Sequence, residues 1–203
     1  TVGQWPWPRD LVTQMNDRLW DAGVSVIAYD IGFIERDALS PPNAFDRWKQ
    51  MYPDEVAFNR PTGILPDFDE LFARSIGRGP SVLGFYINWA REPVTNLLDE
   101  AQTPWRGAYV EKGKGRSNLP QGDRLIPPIQ MLRDNAYMGF YNTLVDQDNI
   151  VRSTPLVIAV GPVRLYPSLS LEAVRLFLNA PRFGVYYDVE GVEGVRHVEV
   201  GGR

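Results

Sequence analysis

The chain contains no cysteine among its 203 residues. Disulfides, zinc-thiolate centres and cysteine nucleophiles are therefore excluded, and a cysteine-free chain fits an oxidising compartment. Histidine is almost as scarce, with His197 alone near the C-terminus. A His-Glu-x-x-His metal site is impossible, and a Ser-His-Asp triad would have to recruit His197. Neither a Gly-x-Ser-x-Gly elbow nor a phosphate-binding Gly-x-x-x-x-Gly-Lys loop occurs. Basic residues do not dominate: 21 Lys and Arg against 25 Asp and Glu leave a net charge of -4. Bulk charge thus offers nothing to nucleic acid. No apolar run approaches the roughly 20 residues that span a bilayer; the longest, Leu156 to Val160, is strand-sized.

What is present is an ordinary globular balance, 44% hydrophobic and 23% charged, long enough for one good-sized core. Eighteen glycines and 17 prolines imply many turns. The chain opens on Thr1 without an initiator Met. It reads as a piece of a longer protein, residues 1–203 forming one domain, with any signal peptide or membrane helix outside it.

Helical spacing of Leu11, Val12, Met15, Leu19 and Ala22 predicts a helix over Pro8 to Ala22, closed by Gly23. Val24 to Ile31 is apolar and β-branched, which predicts a strand buried in a sheet. A loop around Pro41-Pro42 leads to a short helix near Asn43 to Met51. Asp67 is the expected N-cap of a helix over Phe68 to Ile76, and Ser81 to Ile87 is a second buried strand. Strand, helix and strand make a βαβ unit whose strands should be parallel.

Ala90 to Leu125 looks irregular, with Lys112-Gly-Lys-Gly-Arg116 as an exposed loop whose cations could alternatively meet an anion. A short helix over Pro128 to Ala136 and a strand over Tyr137 to Leu144 follow. Ile150 to Val160 and Val163 to Tyr166 read as a hairpin across Gly161-Pro162. Pro167 to Asn179 reads as a helix with Leu169, Leu171, Val174, Leu176, Phe177 and Leu178 on its apolar side, and Gly184 to Val200 as a terminal hairpin. The fold class expected is α/β: a mixed, partly parallel sheet flanked by helices in three layers, with a C-terminal β-hairpin.

Three groups of residues could carry function. Asn142, Asp146, Asp148, Asn149 and Arg152 form a compact polar turn. Its oxygens could hold Ca²⁺ or Mg²⁺, although the glycine and distant glutamate of a calcium loop are missing. The alternative is a latch: Asx-turns, Asn149 in the left-handed region, and Arg152 paired with an aspartate. Asp30 stands at the carboxyl end of a strand expected to be parallel, where ligands of open α/β sheets settle, and Glu35 and Asp37 follow it. Trp5-Pro6-Trp7 could anchor at a membrane interface or pack against a sheet edge. Tyr186, Tyr187 and His197 read as strand-face residues.

Trp5-Pro-Trp-Pro-Arg9, then a helix, then Val26-Ile-Ala-Tyr-Asp-Ile-Gly-Phe33, resembles the start of the second type of CHASE domain, a cyclase- and histidine-kinase-associated sensory extracellular domain. The later block resembles the same family: Gly139-Phe140-Tyr141-Asn142, Asp146-Gln-Asp148-Asn149, Arg152, Pro155 and Pro167-Ser-Leu-Ser-Leu-Glu-Ala173. The resemblance runs from Trp5 to about Asn179 with a poorly matched middle. Asn149 replaces a glycine usual in the family, and asparagine tolerates the left-handed conformation that the turn needs.

The resemblance implies an extracytoplasmic input domain of a bacterial transmembrane receptor, in the periplasm or at the cell surface. Membrane helices and a cyclase, kinase or other output module would lie elsewhere in the protein. It implies no catalytic residue, metal or cofactor, and no ligand. The expected partners are a small-molecule or protein signal and a second copy in a homodimer, not nucleic acid. Two rivals remain: a metal-dependent hydrolase built on Asp30, Asp146 and Asp148, and a module that only dimerises its receptor.

Overall fold

A computed structural model describes residues 5–53, 65–89, 107–114, 119–145, 148–161, 164–187 and 195–202. In chain order the elements are α1 (Arg9–Asp21), β1 (Ile27–Gly32), α2 (Pro41–Met51), α3 (Phe68–Ile76), β2 (Ser81–Trp89), β3 (Tyr109–Lys112) and β4 (Gln121–Ile126). There follow α4 (Gln130–Arg133), β5 (Tyr137–Phe140), β6 (Leu144–Val145), β7 (Val151–Ser153), β8 (Val157–Val160), β9 (Arg164–Pro167), α5 (Leu169–Phe177), β10 (Phe183–Tyr187) and β11 (Val195–Val200). They fall into two compact units. One draws on 1–25, 35–79 and 129–136, the other on 26–34, 80–128 and 137–203.

The first unit is helical. α1 starts after Pro8, and Gly23, at φ 82°, closes it: the Gly23 N–H donates to Trp20 and that of Val24 to Leu19. The face it buries is Arg9, Val12 and Asn16, while Met15 and Leu19 stay exposed at 41% and 36%. Of the expected apolar face of Leu11, Val12, Met15, Leu19 and Ala22, only Val12 is buried. The buried polar residues have partners: Asn16 Nδ2 donates to Ser75 Oγ at 2.7 Å, and that hydroxyl donates to Asp17 at 2.6 Å. A satisfied polar stripe can be buried at little cost. Pro41 and Pro42, expected in a loop, instead occupy the first positions of α2, where a missing N–H costs nothing. In α3 the Asp67 side chain accepts from the Asp69 N–H at 2.9 Å, as an N-cap should. Phe72, Ile76 and Leu132 are fully buried here.

The second unit is built on a mixed six-stranded sheet. β2 is its hub: Ser81 to Phe85 runs parallel to both β1 and β5, and Tyr86 to Trp89 pairs antiparallel with β4. β4 runs parallel to β8, which pairs antiparallel with β9. The parallel β1–β2 pair is the βαβ pairing expected. β1 itself differs from expectation: among the described residues it pairs with β2 alone, and burial alternates, with Ile27 and Tyr29 inside and Ala28 and Asp30 exposed. An edge strand needs only one apolar face. Phe85, Ile87, Met138, Phe140, Ile158, Val160 and Tyr166 form one core cluster.

A second sheet has the order β11-β10-β3, with β10 antiparallel to β11 and parallel to β3. Its core includes Leu165, Leu171, Phe183, Val185 and Val200. The chain is thus α/β, with a mixed sheet and a C-terminal antiparallel pair, although the turn joining β10 to β11 lies outside the described residues. β3 and β4 correct the expectation of irregular structure between Ala90 and Leu125, and Lys112 ends a strand rather than opening a loop. α5 also turns differently from its expected apolar side. Glu172 and Arg175 are buried with Leu171, while Phe177 is 67% and Val174 48% exposed.

Candidate functional site

The acidic turn is a surface ion pair with an Asx-turn beneath it. Arg152 donates twice to Asp148, Nη1 to Oδ1 at 2.9 Å and Nη2 to Oδ2 at 2.7 Å. Asp148 Oδ1 also accepts from the Ile150 N–H at 3.2 Å, and Asn149 sits at φ 62°. Both partners of the pair are about half exposed. The Arg152 guanidinium holds the Asp148 carboxyl below its usual 3.8. Asp146, the other aspartate of this turn, lies outside the described residues.

Asn142 is not at that surface. It is 1% exposed, and its amide faces one backbone residue: Oδ1 accepts from the Ile87 N–H at 2.8 Å while Nδ2 donates to the Ile87 carbonyl at 2.6 Å. β5 pairs with β2 only as far as Phe140 and Phe85. The Tyr141 N–H then donates to Phe85, and Asn142 supplies both partners for Ile87. The side chain thereby extends a ladder that the backbone has left.

The neighbouring motif residues are explained by packing. A Cβ on Gly139 would lie 2.5 Å from Leu169 Cα, so only glycine lets the start of α5 press onto β5. Ser168 caps that helix by accepting from the Leu171 N–H at 3.2 Å. Glu172 and Arg175 form a buried ion pair with contacts of 2.7 and 2.8 Å. Arg175 also donates to the Ala180 carbonyl at 2.6 Å and lies 5.2 Å from the centre of the Tyr137 ring.

In the helical unit, Asp37 and Glu35 belong to a network centred on Arg9 and Asp69. Asp69 is fully buried and accepts from Arg9, from Arg36 Nε at 3.3 Å and from the Asp37 N–H at 3.3 Å. Arg9 also donates to the Glu35 carbonyl. The Asp37 carboxylate accepts from the Arg9 N–H at 2.7 Å, satisfying the first free donor of α1, whose own N-cap position is a proline. Arg36 bridges on to Asp67. Asp37 is therefore committed to a helix start, whereas the Glu35 side chain is exposed. Arg36 and Asp69 carry no local signal in the sequence, whereas Arg9 closes the Trp5-Pro-Trp-Pro-Arg9 motif. Trp5 and Trp7 pack edge-to-face, with centres 5.8 Å apart.

Asp30 lies in the sheet unit, exposed at the carboxyl end of β1. Two positions on, Gly32 pairs with Gly84 of β2, and Gly84 with Gly139 of β5. The Tyr141 ring lies over Gly84 and Gly32: a Cβ on Gly84 would be 2.7 Å from its Cδ1, and one on Gly32 would be 3.1 Å from its hydroxyl. The Tyr86 ring is 6.2 Å away, centre to centre. Burial, then the negative charge of Asp30, then Tyr86, push the Tyr141 hydroxyl above its usual 10.0. The corner thus joins a solvent-facing carboxylate to two tyrosine rings over a glycine floor.

Among the described residues, no group of three or more His, Asp or Glu side chains is placed to hold a metal ion. None of the described helices is long and apolar enough to cross a membrane. No curated protein and no solved structure matches the chain. A model of the CHASE2 domain family matches residues 1–198.

Proposed function

The chain belongs to the CHASE2 domain family, and we propose that it is the extracytoplasmic input domain of a bacterial transmembrane receptor. CHASE2 is a family of sensory extracellular domains of signalling receptors, so sensing rather than catalysis is its role. The finer reading adds that residues 1–203 act as one sensory domain outside the inner or plasma membrane. Helices elsewhere in the protein tether it, and a cyclase or kinase module inside the cell gives the output. A small-molecule or protein signal, with a homodimer as the responding species, would shift the balance between two packings.

The observation that carries the reading is the family match across both compact units. Of the candidate residues, Asp30 and Glu35 are the carboxylates with no hydrogen-bond partner among the described residues. Asp30 is the better placed to meet a signal, because it stands at the carboxyl ends of parallel strands.

An alkaline phosphatase reporter fused after residue 203 in the full-length protein tests the location. Reporter activity in intact cells is the expected result, and a fusion made in full but inactive would contradict it, since the reporter's disulfides form only in an oxidising compartment. The hydrolase alternative has its own test: phosphoester turnover with Mg²⁺ or Mn²⁺, repeated with Asp30→Asn. We expect no metal-dependent turnover.

A further inference from the structure

The sheet β11-β10-β3 buries one face and opens the other. Its register sets Val110, Gly184 and Glu199 side by side in one row, and Lys112, Tyr186 and His197 in the next. The alternate residues Phe183, Val185 and Val200 point into the core, as the two-residue pleat requires.

Tyr186 is held by three neighbours. It stacks on His197 with ring centres 4.4 Å apart and planes 9° from parallel. Lys112 Nζ lies 5.4 Å from its ring centre, and its hydroxyl donates to Glu199. Its ring edge occupies the space beside Gly184, 2.7 Å from where a Cβ there would sit. With no side chain at Gly184, that ring edge can lean over the row between Val110 and Glu199. A cleft of about 390 Å³ opens over it, bounded further by Pro181, Arg182, Gly201 and Gly202.

Among the described residues lining this cleft, two cations, Lys112 and Arg182, outnumber one carboxylate, Glu199. Glu199 is engaged by the Tyr186 hydroxyl, which that bond holds in its protonated form. Lys112 and Arg182 have no carboxylate within ion-pair distance among the described residues. An excess of positive charge beside an aromatic surface favours a ligand that is anionic at one end and carbon-rich at the other. The volume suits a small organic molecule.

We propose that this cleft binds a small organic oxyanion, its carboxylate or phosphate group between Lys112 and Arg182 and its body against Tyr186 and Gly184. Binding here does not depend on whether the chain is exported, so this inference and the receptor reading stand or fall separately.

The test is a titration of the whole 203-residue chain with citrate and with inorganic phosphate at about 150 mM NaCl, which screens diffuse charge attraction. Calorimetry and amide NMR shifts read the binding. The expected result is saturable binding of at least one anion, with shifts at Gly184, Tyr186, Gly201 and Gly202. Citrate alone would assign a carboxylate ligand and phosphate alone a phosphate ligand. Combining Lys112→Gln with Arg182→Gln should weaken binding about tenfold or more, whereas Lys114→Gln should leave it unchanged. Both lysines and Arg182 are exposed, so the variants should fold. Absence of saturable binding to either anion up to about 10 mM would overturn the proposal, as would equal affinity in the double variant.

Discussion

The side-chain amide of Asn142 bonds both backbone groups of Ile87, accepting from its N–H at 2.8 Å and donating to its carbonyl at 2.6 Å. Each residue is buried, so water cannot replace the amide if it is lost. Asn142→Ala should therefore leave an N–H and a carbonyl unpaired inside the protein. The expected cost is about 2–4 kcal/mol, read as a lower denaturant midpoint. Asn142→Asp should not rescue stability, because it removes the donor and introduces a buried charge. A midpoint unchanged by Asn142→Ala would contradict the ladder role.

The Glu172–Arg175 pair is buried to 0% and 5% exposure. Removing one partner strands the other, and Arg175→Met should cost about 3–5 kcal/mol. The double variant Glu172→Leu with Arg175→Met should recover much of that loss, since a buried ion pair is often no better than packed apolar side chains. Equal instability of the single and double variants would mean that the bond from Arg175 to the Ala180 carbonyl, not the ion pair, is what matters.

The surface pair of Arg152 and Asp148 leads to the opposite expectation. With each side chain about half exposed, Arg152→Ala should leave the melting temperature nearly unchanged. A large fall would show that the turn is buried against something when the protein is in solution.

Acid should weaken the fold in part through Asp17. Burial pushes the Asp17 carboxyl up, but the Ser75 hydroxyl and the Arg78 guanidinium outweigh it and hold it below 3.8. A carboxyl that is a stronger acid when folded stabilises above its unfolded value and loses that contribution as pH falls through its folded one. Stability should thus decline from about pH 5 downward. Asp17→Asn should flatten the decline in a chemical-denaturation series across pH. Identical slopes in wild type and variant would exclude Asp17 as a contributor.

The Asp30–Tyr141 corner can be read by titrating the phenol. Burial is the larger cause of the raised Tyr141 value and Asp30 the second. Asp30→Asn should therefore bring the Tyr141 titration, followed by NMR or ultraviolet absorbance, part of the way back toward 10.0. An unmoved titration would separate the two residues and remove the electrostatic link within that corner.

How much of this was legible in the sequence depended on the range of each interaction. α3 could be read to its ends, Phe68 and Ile76, because its cap is Asp67 and its stop is Gly77. β2 was likewise evident from its own apolar run. β4 was not: Gln121-Gly-Asp-Arg precedes its two apolar residues, and it forms only because β2 and β8 lie beside it. Gly122 hints at that closeness, since a Cβ there would meet the Ile87 side chain at 2.2 Å. Helix faces misled for a related reason. Arg9 and Arg175 are polar by composition, yet buried because Asp69, 60 residues from Arg9, and Glu172 within α5 neutralise them. Asp30 at a strand end was readable as a position, but Tyr86 and Tyr141 beside it come from two other strands' neighbourhoods.

The location of the chain is the central claim, and its lack of cysteine makes a direct measurement available. Ser25→Cys places one thiol at an exposed position. It would be introduced into the full-length protein with any cysteines outside this chain replaced, and intact cells would be treated with a membrane-impermeant maleimide. Labelling of intact cells at the level seen after lysis is the result predicted for an extracytoplasmic sensory domain. Labelling only after lysis would place the chain inside the cell and contradict the account.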